Sequence, residues 1–141
     1  MKRSPELAPL SRDHHLALEA ALRLRRASAG DEPQAVDHFL AYWKAHGERH
    51  FEIEETVLLP ALPGTDEAWG AAARRVRREH EDLRARAADL AEAGRLEAAR
   101  ELGQRLREHV RFEENELFPL LEERLAPDAL AALGRALDAA E

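Results

Sequence analysis

Cysteine is absent from this chain of 141 residues. The absence excludes disulfide bonds, thiolate metal sites and thiol nucleophiles, so any bound metal must take nitrogen and oxygen ligands. β-branched residues are scarce, with one Ile, four Val and two Thr, whereas Ala, Leu, Glu and Arg dominate. Because strands favour β-branched residues and helices favour the dominant four, the composition predicts an all-α domain.

Long hydrophobic runs are also lacking. No apolar stretch approaches the roughly 20 residues that span a bilayer, and the N-terminal segment has no apolar signal core. The 28 acidic residues outnumber the 21 Lys and Arg and give a formal charge of −7, which argues against a generic nucleic-acid binder. We therefore expect a cytoplasmic protein whose partners include neither a membrane nor a nucleic acid.

Apolar residues recur at helical spacing in four long stretches, over approximately residues 11–28, 33–60, 66–93 and 95–119. Short loops between them predict an up-down-up-down four-helix bundle over about residues 10–124, within a single domain that covers 1–141. A short alanine-rich helix over about residues 127–140 would cap the bundle. The predicted boundaries are N-caps at Ser11, Asp31 and Thr65 or Asp66, stops at Gly30 and Gly94, and a kink or end at Pro119.

One short phrase occurs twice and organises the chain, as HFEIEETVLLP from residue 50 and HVRFEENELFP from residue 109. Residues four apart on a helix lie on the same face, so His50 pairs with Glu54, and His109 with Glu113. Apolar neighbours turn both pairs toward the core. An unpartnered imidazole or carboxylate would cost several kcal/mol there, and metal coordination can offset that cost.

Each phrase follows a helix that carries its own acid–His pair. Residues 10–14 (LSRDH) match residues 76–80 (VRREH), with an aliphatic residue four positions before the histidine in each. The bundle should therefore have approximate two-fold symmetry, with a metal site near the axis. His14 is the favoured ligand of the first helix, and His15 is ranked second because leucines follow it at helical spacing.

The predicted metal ligands are His14, His50, Glu54, His80, His109 and Glu113. A carboxylate has two oxygens and can bridge two cations, so this set would give two metals four protein bonds each and leave positions open for a small ligand. Glu55 and Glu114 are rotated off the shared face and should support the ligands or face solvent. His46, one turn before His50, is a second-ranked ligand. Tyr42 is expected to pack in the core or donate a hydrogen bond to a bound ligand, and His38 to be exposed.

The order His, His-x-x-x-Glu, His, His-x-x-x-Glu on successive helices resembles the hemerythrin-like, or HHE cation-binding, family over about residues 10–121. The phrase that begins at His50 is especially similar to the family's second-helix motif. The resemblance implies a non-haem di-iron centre bridged by the carboxylates of Glu54 and Glu113 and by a solvent-derived oxo or hydroxo group. Zn or Mn would be substitutes for the two Fe ions.

Two features depart from the oxygen-carrying hemerythrins. Those proteins place two histidines four apart on the third helix, whereas Val76 and Arg84 stand at those offsets from His80. They also end with His-x-x-x-x-Asp on the fourth helix, where this chain has His-x-x-x-Glu. The pattern is closer to the broader bacterial HHE group and to hemerythrin-like domains that sense iron or oxygen.

The resemblance implies a protein that binds dioxygen, nitric oxide or peroxide for sensing, storage or detoxification. The alternative is a di-iron enzyme that turns over peroxide or nitric oxide with the same centre. A structural zinc bundle is disfavoured, because structural zinc takes four closed ligands and this chain offers more. The sequence identifies no protein partner.

Overall fold

The computed structural model describes residues 2–64, 67–93 and 95–141, which form five helices and no strand. α1 spans Ala8–Arg25, α3 spans Glu67–Glu92, and α5 spans Pro127–Ala140. α2 covers residues 32–61, and α4 covers residues 96–124. Among the described residues, no helix combines the length and the apolar character that crossing a membrane requires.

Both α2 and α4 are continuous helices with π-helical turns inside them. In α2 the α-helical segments Glu32–Tyr42 and Glu48–Ile53 alternate with the π-helical turns Trp43–Gly47 and Glu54–Leu58, and the 3₁₀ turn Leu59–Ala61 ends the helix. α4 consists of Leu96–Phe112, the π-helical turn Glu113–Leu117, and Phe118–Arg124. Such turns are uncommon and occur frequently at functional sites.

The first four helices form a ring in which α1 packs against α2 and α4, and α3 packs against the same two helices. α5 lies against the second π-helical turn of α2. The predicted all-α bundle with an extra C-terminal helix is therefore confirmed.

Several predicted boundaries are wrong. α1 begins before Ser11, because Pro9 fits the first turn, where a missing N–H costs nothing. Ser11 is not a cap; its hydroxyl donates a hydrogen bond to Glu114, at 2.7 Å. The helix ends at Arg25, before Gly30. The predictions for Thr65, Asp66 and Gly94 fall outside the described residues.

Two other boundary residues also behave differently from the prediction. Asp31 stands at the N-cap position of α2, but its carboxylate accepts hydrogen bonds from the backbone N–H and hydroxyl of Ser28, at 2.6 and 3.1 Å. Pro119 does not end α4, since the helix continues to Arg124 after the π-helical turn.

The core consists of two apolar clusters separated by one buried polar layer. On α1, Leu10 belongs to one cluster and Ala17 to the other, and His14 lies between them. On α3, His80 lies in the same way between Val76 and Leu83. The same order on α2 and α4 places every buried histidine and glutamate of the described residues at one level of the bundle.

Gly103 allows α1 and α4 to approach closely. A Cβ atom there would lie 2.7 Å from the Ala21 carbonyl oxygen. We expect Gly103→Ala to lower the free energy of unfolding by about 1 kcal/mol, because overpacking of ~1–3 kcal/mol exceeds the ~1 kcal/mol gain in helix propensity. Urea denaturation measures the change. Gly70→Ala is the control, since its added methyl meets the flexible end of Arg74; a stabilised Gly103→Ala protein would contradict the close approach.

Candidate metal centre

The structure brings all six predicted ligand residues together in the polar layer. Each of the six is at most 5% exposed. α1 and α3 contribute one histidine each, and α2 and α4 contribute one His-x-x-x-Glu pair each. The residues separate into two sets of four that share both glutamates.

The first set contains the histidines of α1 and α2. His14 Nε2 lies 2.9 Å from Glu113 Oε1 and 4.0 Å from Glu54 Oε2. His50 Nε2 lies 3.1 Å from the same Glu54 oxygen. All four ligand atoms of this set lie within 4.8 Å of one another, a spacing that one cation can span.

The second set contains the histidines of α3 and α4 and uses the other oxygen of each glutamate. His80 Nε2 lies 3.0 Å from Glu54 Oε1, and His109 Nε2 lies 3.5 Å from Glu113 Oε2. Each glutamate therefore offers one oxygen to each set. A carboxylate has two oxygens and can face two groups of ligands in this way.

The donor atoms are incompletely satisfied by the protein itself. Four of the seven buried side-chain atoms without a hydrogen-bond partner in the described residues belong to this cluster: Nε2 of His50 and His109, and Oε2 of Glu54 and Glu113. Buried polar atoms without partners are rare in folded proteins. Because each set contains such atoms from both an imidazole and a carboxylate, the residues fit a pair of cations bound between them.

The Nδ1 atom of each imidazole donates a hydrogen bond to a carboxylate outside the six-residue cluster. The Nδ1–H of His14 donates to Glu114 at 2.6 Å, and that of His80 donates to Glu55 at 2.8 Å. These contacts orient each ring so that its Nε2 faces the glutamates of the cluster, where a cation would bind. Of the two roles considered for Glu55 and Glu114, the structure therefore shows support of the ligands.

The carboxylates that hold the other two imidazoles were not predicted from the sequence. The Nδ1–H of His50 donates to Asp13 at 3.1 Å, and that of His109 donates to Glu79 at 2.8 Å. Both acids directly precede the histidines of α1 and α3. The repeated acid–His pair was the signal for them, although it does not show that the acid supports a histidine on another helix.

Arg84, four residues after His80, has a supporting role. Its guanidinium donates two hydrogen bonds to Glu55, at 2.7 and 2.8 Å, and lies 5.7 Å from the ring centroid of Phe51. Phe51 stacks on His80 at 3.9 Å between centroids. His80 is thus held both through Glu55 and through an aromatic stack.

Two of the three π-helical turns in the described residues begin at the two glutamates of the cluster. The Leu59 N–H bonds to the carbonyl of Glu54, five residues back, and the Phe118 N–H bonds to that of Glu113. The phrase's proline follows one residue later in each copy, and it has no N–H to donate. The duplicated phrase therefore produces the same local backbone around both glutamates.

The second-ranked ligands His15 and His46 do not join the cluster, because both are exposed. On α1 the buried stripe runs through His14 and Ala17, which turns His15 outward. On α2 the core-facing positions before His50 are Trp43 and Gly47, so His46 points away from the site. His38 is half-buried rather than exposed.

Tyr42 is buried on α2, two turns before His50. Burial, with the negative charges of Glu54, Asp13 and Glu113, raises the pKa of its hydroxyl. The phenol is therefore neutral and can donate a hydrogen bond. Within the described residues its hydroxyl has no hydrogen-bond partner, so the donor remains available to a ligand.

The cluster takes up protons strongly when no metal is present. Burial lowers the pKa of His14, but hydrogen bonds to Glu113 and Glu114 outweigh it and raise the value to about 9. The carboxylates raise the pKa of His50 and His80 in the same way. Protons on the imidazoles thus supply positive charge that cations would otherwise bring.

The bundle and its buried layer of histidines and bridging glutamates define a helical cation-binding domain. The family model described as the hemerythrin HHE cation binding domain matches residues 7–121. The chain therefore belongs to the hemerythrin HHE cation-binding family, as the motifs on its four helices predicted. Comparisons with curated proteins and with solved structures gave no match.

The raised pKa of His14 predicts a pH dependence for the metal-free protein. A histidine whose pKa rises from 6.5 to about 9 on folding stabilises the protein below pH 6.5, and this contribution disappears as the pH rises through 9. We expect a loss of at most about 3 kcal/mol across that window. Denaturation in chelator on both sides of the window measures it, with metal-loaded protein as the control. Equal stability of the metal-free protein at both values would contradict the protonated cluster.

Proposed function

We propose that the two sets of ligands hold two iron ions, bridged by the carboxylates of Glu54 and Glu113. The proposed centre binds dioxygen or a related small ligand, such as nitric oxide or peroxide, for sensing, storage or detoxification. The observation that carries the proposal is the division of the cluster into two equivalent sets, each with two imidazoles and one oxygen from each glutamate.

The donor chemistry favours iron over a structural zinc ion. Each set supplies two nitrogens and two carboxylate oxygens, which is the mixed donor type of non-haem iron sites with open positions. Structural zinc sites are closed by four ligands around a single ion. Here the two sets together offer four imidazoles and two shared carboxylates, which is more than one closed zinc site uses. Mn or Zn would occupy the same positions as a substitute.

The surroundings suit a small and weakly polar ligand. Phe118 lies parallel to His14 at 5.5 Å between centroids, and Phe51 covers His80. Apolar clusters close the polar layer on both sides. Iron bound here would supply the positions at which the ligand binds and the change of redox state, while the protein excludes bulk water from them.

Tyr42 gives the ligand site a directed hydrogen-bond donor. Its hydroxyl is kept neutral by burial and by the negative charges of Glu54, Asp13 and Glu113, which raise its pKa, so it can donate a hydrogen bond to a bound ligand. The raised pKa also makes the phenol a weaker acid, so this residue does not by itself favour the alternative that the centre turns over peroxide or nitric oxide. Experiment, rather than the residues present, therefore distinguishes ligand binding from enzymatic turnover of the ligand.

Removal of single ligands tests the metal assignment. We expect about two irons per wild-type chain, and loss of metal in both His109→Ala and Glu54→Ala, because Glu54 contributes to both sets and His109 to one. Even residues behind the ligands cost about 10–100-fold in metal affinity when removed, so loss of a ligand should cost more. Elemental analysis after dialysis measures the count. His38→Ala is the control, and equal metal retention in all three variants would contradict the assignment.

Spectroscopy of the iron-loaded protein tests the ligand assignment. A reversible absorption change on exposure to dioxygen or nitric oxide is expected, since the protein leaves positions open on both metals. Tyr42→Phe should retain the iron but release the ligand about tenfold faster, because one net hydrogen bond of ~1.4 kcal/mol is lost. Sustained consumption of peroxide without a stable spectral change would support the enzyme instead. An unchanged release rate would remove Tyr42 from the ligand site.

A further inference from the structure

Asp13 differs from the other three carboxylates that hold the site histidines. Arg84 clamps Glu55, Arg75 donates to Glu79 at 2.9 Å, and Arg3 lies 3.4 Å from the carboxylate of Glu114. Within the described residues, Asp13 pairs with its histidine but with no arginine. Of the four carboxylates that bind the site histidines, Asp13 is thus the one with no arginine partner among the described residues.

Asp13, the carboxylate without an arginine partner among the described residues, lies at a surface cavity. Asp13 and His50 line this cavity of about 270 Å³ together with His46, Ala45 and Ile53, and Arg49 and Glu141 also contribute to its wall. His50 is 5% exposed, the highest value among the four site histidines. The cavity therefore connects solvent to the back of one ligand.

In the other half of the bundle an arginine covers the carboxylate at the related position, and the two cavities beside this arginine are lined by neither Glu79 nor His109. In the repeat, Arg75 on α3 corresponds to Pro9 on α1, and Phe112 on α4 corresponds to Ile53 on α2. The Arg75 guanidinium lies 3.9 Å from the ring centroid of Phe112 while it bonds to Glu79. A proline cannot form this cover, so the two-fold symmetry of the metal site does not extend to its outer wall.

We propose that this cavity is the route by which divalent metal reaches the centre, with His46 and Asp13 as transit ligands and His50 as the side chain that passes the cation inward. The inference rests on the proposed function, since it concerns the loading of the same centre. His46 is exposed, and within the described residues its imidazole has no partner. It can therefore bind a hydrated cation before the buried histidine does.

The chemistry of the wall fits a cation better than an apolar gas. An imidazole, a carboxylate and a site histidine are all ligands of ferrous iron. The one arginine in the wall is already paired, because Arg49 donates to the carbonyl of Ala140 at 2.6 Å and to Glu52 at 3.2 Å. Its charge is thus partly neutralised at the cavity.

Metal uptake by the full chain tests the route in two ways. Ferrous ion is added to metal-free protein, the rate of loading is followed by stopped-flow absorption, and the final iron count is measured. We expect His46→Ala to load several-fold more slowly and to reach the wild-type count. We expect Ala45→Phe, which fills the cavity from an exposed position, to slow both loading and removal by a chelator.

Matched controls separate the route from general effects. His15→Ala removes another exposed imidazole, and Ala71→Phe fills the cavity lined by Arg75 and Phe112; both should load at the wild-type rate. Wild-type loading rates in both His46→Ala and Ala45→Phe, with full iron counts, would overturn the route alone. A wild-type protein that binds no iron would overturn the proposed function and the route with it.

Discussion

The structure depends on burial of four imidazoles and two carboxylates in one layer between two apolar clusters. An ionisable group buried without a partner costs several kcal/mol, and a domain is stable by only about 5–15 kcal/mol. Six such groups would unfold the bundle if they were left unsatisfied. The layer is tolerated because each imidazole has a carboxylate at Nδ1 and faces the bridging glutamates with Nε2.

The supporting contacts also join the helices to one another. Asp13 on α1 holds His50 on α2, whereas Glu114 on α4 holds the histidine of α1. The contacts of Glu79 and Glu55 repeat this scheme in the other half. The interactions that orient the ligands are therefore the same interactions that fix the helix positions, so a change in one ligand affects the packing of two helices.

The bundle and the six clustered residues could be predicted from the sequence, because the duplicated phrase places metal-binding residue types at helical spacing. The sequence was insufficient wherever packing between helices decides the outcome. The acid before His14 supports a histidine on another helix, and no spacing within one helix shows that contact. His46 follows the i, i+4 rule and still points outward, because Gly47 makes room for the ring of Trp43 on the core side. The π-helical turns were likewise not predicted.

Arg84 also has an electrostatic consequence for the layer. It bonds to Glu55, and this carboxylate accepts a hydrogen bond from His80. All four imidazoles donate to carboxylates in this way, and both glutamates of the layer are carboxylates as well. Hydrogen bonds to carboxylates increase the negative character of imidazole ligands, and negative surroundings favour the more highly charged state of a bound cation. In the iron centre that we propose, this layer would favour the ferric state over the ferrous state. That preference would work against reversible oxygen carriage, in which the centre must return readily to the ferrous state.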